Sequence, residues 1–219
     1  MQKNGFFITF EGGDGSGKTT IINMVYQQLL KDFPQKKIIL TREPGASDNP
    51  LCVEIRNLLL NKDIKVDHRC EALLFAADRA QHVGLCLKPS LEEGALILCD
   101  RYIDSSIVYQ GFARKLGVDQ IWKINEFAMQ GVLPDLTLFL MVRPEISSQR
   151  INNRLNQEGE HNRIDKEKEE FHKFVYDALN FQIKNDKLNR IVEINAEKTI
   201  DEVFCVVYEK IKKLILKNN

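Results

Sequence analysis

Five short apolar runs punctuate this chain: FFITF over 6–10, KIILT over 37–41, ALILC over 95–99, LTLFLMV over 136–142 and RIVEI over 190–194. Each is nearly continuous rather than alternating, the pattern of a strand buried on both faces of a parallel sheet. Between the runs, apolar residues recur at helical spacing from Thr20 to Leu30, around 50–60, 68–90, 104–130, 144–155 and 166–187, and finally over 199–216. Strand and helix alternation predicts an α/β fold, a doubly wound parallel sheet with ligands at the carboxyl ends of its strands. One segment breaks the rhythm. NNRLNQEGEHNRID, from Asn152 to Asp165, is polar and contains Gly159, so it reads as an exposed loop or lid over about 150–165. No repeat, low-complexity tract or linker divides the chain, and 219 residues suit one domain with a mobile insert.

The first apolar run leads into GGDGSGKT at residues 12–19, a complete phosphate-binding loop of the form GxxxxGK[ST]. Strand, glycine-rich turn and helix start occur in the order that motif requires. Gly12, Gly13, Gly15 and Gly17 let the backbone curl so that N–H groups converge on phosphate oxygens. The helix start, through Thr19 and Thr20, adds unpaired N–H donors and a positive dipole end. Lys18 is the expected cation for the β- and γ-phosphates of ATP, and the Thr19 hydroxyl an expected ligand of Mg²⁺. Asp14 and Ser16 occupy the loop's variable positions; Lys18 is its only cation.

Charge and composition narrow the partners. The 31 basic residues balance 31 acidic ones, which argues against a nucleic-acid polymer as the main partner. No stretch approaches a membrane span and no signal-peptide pattern opens the sequence. Five cysteines form no C-x-x-C pair and read as reduced residues of a cytoplasmic protein. The four histidines lack zinc-site spacing.

Five further constellations offer candidate chemistry. ALILCDRY places Asp100 and Arg101 at the carboxyl end of the third strand, where a carboxylate can hold Mg²⁺ and a guanidinium a phosphate; the bland reading of Asp100 is a helix cap. The second strand runs into TREPG, which sets Arg42 at the same edge. In LLFAADRAQHV, Phe75 and Arg79 lie one helical turn apart, able to stack on a nucleobase and bond its edge, although a core Phe beside an exposed Arg has the same spacing. Ser105, Ser106, Tyr109 and Gln110 follow Asp100 and offer hydrogen-bonding groups and a flat wall. The lid candidate carries Arg150, Arg154 and Arg163, able to neutralise charge during transfer or to sit solvated.

Taken together, FEGGDGSGKTT, TREPG, LLFAADRAQH, DRYIDSSIVYQG and the late NRID resemble the thymidylate kinase family, in that family's order and over about residues 5–210. The resemblance implies transfer of the ATP γ-phosphoryl group to dTMP with Mg²⁺, a P-loop kinase sheet in the order 2-3-1-4-5, and a homodimer. Carried over by position, Asp14 bonds the 3′-hydroxyl of dTMP, Arg42 and Arg101 hold its phosphate, and Asp100 helps place Mg²⁺. Phe75 stacks on thymine, Arg79 bonds its O4, Ser106 and Gln110 sit near the base, and Tyr109 presses on the 2′ carbon. Gly15 and the arginine-bearing lid are similar to the bacterial members that keep a catalytic arginine in the lid; Arg150 and Arg154, at i and i+4, are the expected pair. The alternatives are another nucleoside monophosphate or deoxynucleoside kinase, or a non-catalytic P-loop nucleotide binder.

Overall fold

The computed structural model describes residues 5–158 and 169–217. Strands β1 (Phe6–Glu11), β2 (Ile38–Arg42), β3 (Leu96–Asp100), β4 (Leu136–Met141) and β5 (Ile191–Asn195) form one parallel sheet in the order β2-β3-β1-β4-β5. The helices are α1 (Lys18–Asp32), α2 (Pro50–Leu60), α3 (His68–His82), α4 (Lys88–Glu92), α5 (Ile103–Ser106), α6 (Val118–Met129), α7 (Pro144–Glu158), α8 (Glu169–Lys184) and α9 (Ile200–Lys217). Fold class, parallel sheet and strand order agree with the expectation from sequence.

Side chains of each strand alternate between two cores. Ile8, Phe10, Leu96, Leu98, Leu138 and Leu140 meet α1 and α9 on one face. Phe7, Ile97 and Cys99 pack on the other with Ala72 of α3, Ile103 of α5 and Ile121 and Met129 of α6, and Phe139 and Met141 with Val175 and Leu179 of α8. Both faces of β1, β3 and β4 are therefore dry, which is why those strands read as unbroken apolar runs, while the edge strands β2 and β5 are partly exposed. Local signals set the helix starts: Asn49 and Asp67 accept backbone N–H bonds as caps of α2 and α3, and Pro50 opens α2. No helix among the described residues is long and apolar enough to cross a membrane.

Two expected elements differ in detail. The helical stretch over 104–130 is not one helix: α5 passes into a π-helical turn over Ile107–Ala113, and the chain then reverses at Lys115 (φ 57°) and Gly117 (φ 92°) before α6. Gly117 tolerates the left-handed backbone that the reversal needs. The polar segment from Asn152 is not a loop at its start, since α7 continues to Glu158. NNRLNQE contains neither Gly nor Pro, so nothing in it breaks a helix, and polarity alone does not make the backbone irregular. The rest of the expected lid, 159–165 with Arg163, lies outside the described residues.

Candidate active site

The carboxyl ends of β1, β2 and β3 open onto a cavity of about 630 Å³. At one end lies the loop between β1 and α1. Helix α1 starts at Gly17 (φ 83°) without a side-chain cap, so its first N–H groups are left for a ligand. Lys18 folds back over the loop, donating from Nζ to the carbonyls of Gly12 and Gly13, both at 2.9 Å, and to Ser16 Oγ at 3.3 Å. Burial, and then the nearby Arg101, push its ammonium down to about 8, against a pull upward from Asp100, Asp14 and Glu11. Gly12 and Gly13 themselves do not line the cavity; Asp14, Gly15, Ser16, Gly17, Thr19 and Thr20 do. A Cβ at Gly15 would fall 2.8 Å from Ser147 O on α7, and its φ is +73°, so no larger residue fits there.

β3 delivers Asp100 beside this loop. The Thr19 hydroxyl donates to Asp100 Oδ2 at 3.3 Å, while Asp100 Oδ1 is buried with no hydrogen-bond partner. Arg101 follows with a left-handed backbone (φ 70°), uncommon for a non-glycine residue. Its turn is braced by Arg101 N–H to Phe10 O at 3.0 Å and Tyr102 N–H to Glu11 Oε1 at 2.7 Å. The Arg101 guanidinium bonds Asp14 Oδ1 at 2.6 Å, Gly12 O at 3.1 Å, Ser105 Oγ at 3.2 Å and the Tyr109 hydroxyl at 3.3 Å, and it faces the Tyr109 ring. Ser105 in turn donates to Glu11 Oε2 at 2.6 Å. Burial, and then the carboxylate of Asp104, push Glu11 up to about 7. Asp104 is itself held bidentately by Arg190 at 2.8 Å, which ties α5 to the start of β5.

Arg42 is exposed at the end of β2 and lines the cavity, joined there by Arg56 of α2. Burial, and then Arg42, push Arg56 down to about 10; it donates to Pro44 O at 2.7 Å. The cavity therefore has a second cationic stretch of Arg42, Arg56 and Arg101 beyond Lys18.

α3 builds the other end. Phe75 is half-buried and lines the cavity, whereas Arg79 is the buried member of the pair, only 1% exposed. Arg79 ion-pairs with Glu43 at 2.8 Å, donates to Ser106 Oγ at 3.1 Å and to Asn125 Oδ1, and faces the Tyr102 ring. Its Nε is buried without a partner. His82 stands 2.9 Å from Glu43 and 2.9 Å from Thr41, completing the bracing of Glu43. Ser106, Tyr109, Gln110 and Phe171 close the same end.

Of the lid arginines, Arg150 lines the cavity and donates to Gly15 O at 3.4 Å and Ala196 O at 3.0 Å. Arg154 lies in α7 four residues on; its side chain is outside the described set, as is all of Arg163. Sequence reading missed Glu11, Glu43, Arg56, Glu71, Ser147 and Phe171. For Glu71 a signal existed, since 71, 75 and 79 repeat every four residues on one helix face. For Glu43 and Ser147 none did, because their partners come from distant parts of the chain.

Comparison with known proteins agrees with this geometry. Residues 10–205 match the family model described as Thymidylate kinase. A thymidylate kinase of Clostridium novyi (strain NT) is 45% identical over 204 residues, 93% of this chain and 96% of that protein. One from Shouchella clausii (strain KSM-K16) is 45% identical over 216 residues, 98% of each. Among solved structures, the crystal structure of thymidylate kinase from Ehrlichia chaffeensis superposes with a TM-score of 0.75 at 31% identity, covering 94% of this chain and 98% of that one.

Proposed function

This chain belongs to the thymidylate kinase family and phosphorylates dTMP to dTDP with ATP, and from that premise we propose which residues do the work. One observation carries the assignment: a single cavity joins the phosphate-binding loop to an aromatic, hydrogen-bonding end, with Arg101 between them. Phosphoryl transfer needs two phosphates held in line with cations around the developing charge, and little covalent help. The loop from Gly12 to Thr20 cradles the ATP phosphates, with Lys18 leaving the carbonyls of Gly12 and Gly13 for the β- and γ-oxygens. Arg42, Arg56 and Arg101 take the phosphate of dTMP. Asp14, already paired with Arg101, receives the sugar 3′-hydroxyl. Phe75, Arg79, Ser106 and Gln110 take the base.

Thr19 and Asp100 fit a Mg²⁺ ion. They already touch, and Asp100 keeps one buried oxygen without a partner. Among the described residues there is no larger ligand cluster, which suits an ion that takes most of its ligands from phosphate and water. When bound, it would neutralise phosphate charge.

An ADP-release assay across dTMP, dUMP, ribo-TMP, UMP, CMP, GMP and AMP tests the reading. dTMP should have the highest kcat/KM. dUMP should follow, weaker by the one methyl group, worth about 1–3 kcal/mol. Ribo-TMP should trail by ~10²-fold, the usual limit for excluding a hydroxyl by shape, and Tyr109→Ala should narrow that gap. Equal turnover of CMP or a purine monophosphate would move the assignment to another nucleotide kinase.

The enzyme works as a homodimer in this reading. α2, α3 and α6 pack side by side, and Leu51, Leu58, Leu73 and Phe127 on them stay exposed, Phe127 at 86%. So large an exposed aromatic among leucines marks a protein-contact face. Phe127→Glu should lower the mass seen by light scattering from twice 25.3 kDa to the single value; an unchanged mass would remove this face from the interface. All five cysteines are free thiols, in keeping with a cytoplasmic enzyme.

A further inference from the structure

A polar pair at the inner end of the cavity takes no part in phosphate handling. Glu71 lies one turn before Phe75 on α3 and is 2% exposed. Its Oε1 accepts from Gln110 Nε2 at 3.1 Å and from Arg114 Nε at 3.3 Å. The Arg114 guanidinium is in turn stacked on the Phe171 ring at 4.9 Å, and Gln110 is only 3% exposed. A carboxylate paired with a guanidinium can only accept hydrogen bonds. The Gln110 amide has one donating and one accepting end, and only its NH₂ can face Glu71. Its carbonyl is therefore turned away from Glu71, toward the cavity that Gln110 lines.

We infer that Glu71 is a specificity-determining residue that acts through Gln110: by fixing the amide it makes this end of the cavity a hydrogen-bond acceptor. An acceptor there selects a pyrimidine that presents a ring N–H, as thymine and uracil do at N3. It rejects cytosine, whose N3 is itself an acceptor, because two facing acceptors leave both buried lone pairs unsatisfied. The inference rests on the assignment of this end of the cavity to the base. Arg79 contributes separately to the same choice, so loss of the Glu71 constraint shrinks the preference rather than abolishing it.

The test compares kcat/KM for dTMP and 5-methyl-dCMP, which differ only at the N3–C4 edge, in wild type, Glu71→Gln and Glu71→Met. In Glu71→Gln the two amides can pair in either sense, and Gln110 can offer its NH₂ to the base. The dTMP preference should fall roughly tenfold, chiefly through KM, since one misplaced buried hydrogen bond is of that size. KM for ATP should not move. Glu71→Met, which leaves the amide free to rotate, should shift the ratio in the same direction. Thermal unfolding identifies which variants are folded, and either folded variant decides. A folded variant with the full wild-type ratio would overturn the inference, as would failure of both variants to fold, which would make Glu71 a residue of stability. A wild type without preference between the two nucleotides would instead overturn the assignment of the base site.

Discussion

Lys18→Ala should lower kcat/KM by roughly 10³-fold or more without lowering thermal stability. The activity loss follows from where charge goes in the reaction. As the γ-phosphoryl group transfers, negative charge spreads over its oxygens, and a cation fixed in a dry site stabilises that state far more than one in water; loss of a single preorganised donor already costs ~10²–10³ in kcat. Lys18 is the only cation of the loop and is 6% exposed. Its present partners are the carbonyls of Gly12 and Gly13, which it would exchange for phosphate oxygens when ATP binds.

The stability side has a definite sign. Burial lowers the Lys18 ammonium from its ordinary 10.5 to about 8. Between those values the unfolded chain binds more protons at this site than the folded one, so this residue makes stability rise with pH across that window. Below about 8 both states are charged and the folded protein bears the full desolvation penalty. At pH 7, then, the charge on Lys18 opposes folding, and its removal should leave Tm unchanged or higher. The Tm difference between variant and wild type should shrink as pH rises from 7 to 10. An activity loss that tracked a large fall in Tm would make Lys18 a structural residue and remove it from the donor site.

How much of this was legible beforehand depended on how local the cause was. The strands were legible because burial on both faces imposes a continuous apolar run, as in Leu96–Cys99, every residue of which is fully buried. The loop was legible because phosphate cradling needs glycine at fixed offsets. Arg79 was ambiguous because an arginine on an apolar helix usually points to water; here Glu43, 36 positions earlier, reaches across from the end of β2 and makes burial tolerable. The Asp104–Arg190 pair spans 86 residues and leaves no mark in either local sequence. The reversal between α5 and α6 was hidden for a different reason. Lys115 adopts its left-handed backbone without being a glycine, and the apolar spacing continues across it. In the polar stretch after Arg150, polarity alone does not distinguish an exposed helix from a loop; α7 runs on to Glu158, with Asn152 and Asn153 exposed on it.

The second large effect is expected at Arg150. The phosphate-binding loop holds no arginine, and its geometry forbids one at Gly15, whose added Cβ would meet Ser147 O at 2.8 Å and Ile151 Cγ1 at 3.2 Å. The helix that blocks this position also carries Arg150. α7 is tied to the loop by Ser147 Oγ donating to Asp14 O at 2.5 Å, and Arg150 sits one turn further along. Its guanidinium already reaches Gly15 O and the cavity wall. With ATP in place, carbonyl partners are a weaker call on a guanidinium than phosphate oxygens, which it can grip with two parallel N–H bonds. Arg150→Ala should therefore lower the single-turnover rate by roughly 10³-fold, the scale of a transition-state arginine, while ATP affinity in the absence of dTMP changes little. Arg150→Lys should recover only part of the rate, because an ammonium keeps the charge and loses the planar fork. Near-normal chemistry in Arg150→Ala would pass the role to Arg154, on the same helix face one turn on, or to Arg163. If single alanine variants of all three kept near-normal single-turnover rates, the neutralising charge would have to come from Lys18 and the acceptor-side arginines alone, and the lid would keep only the exclusion of water.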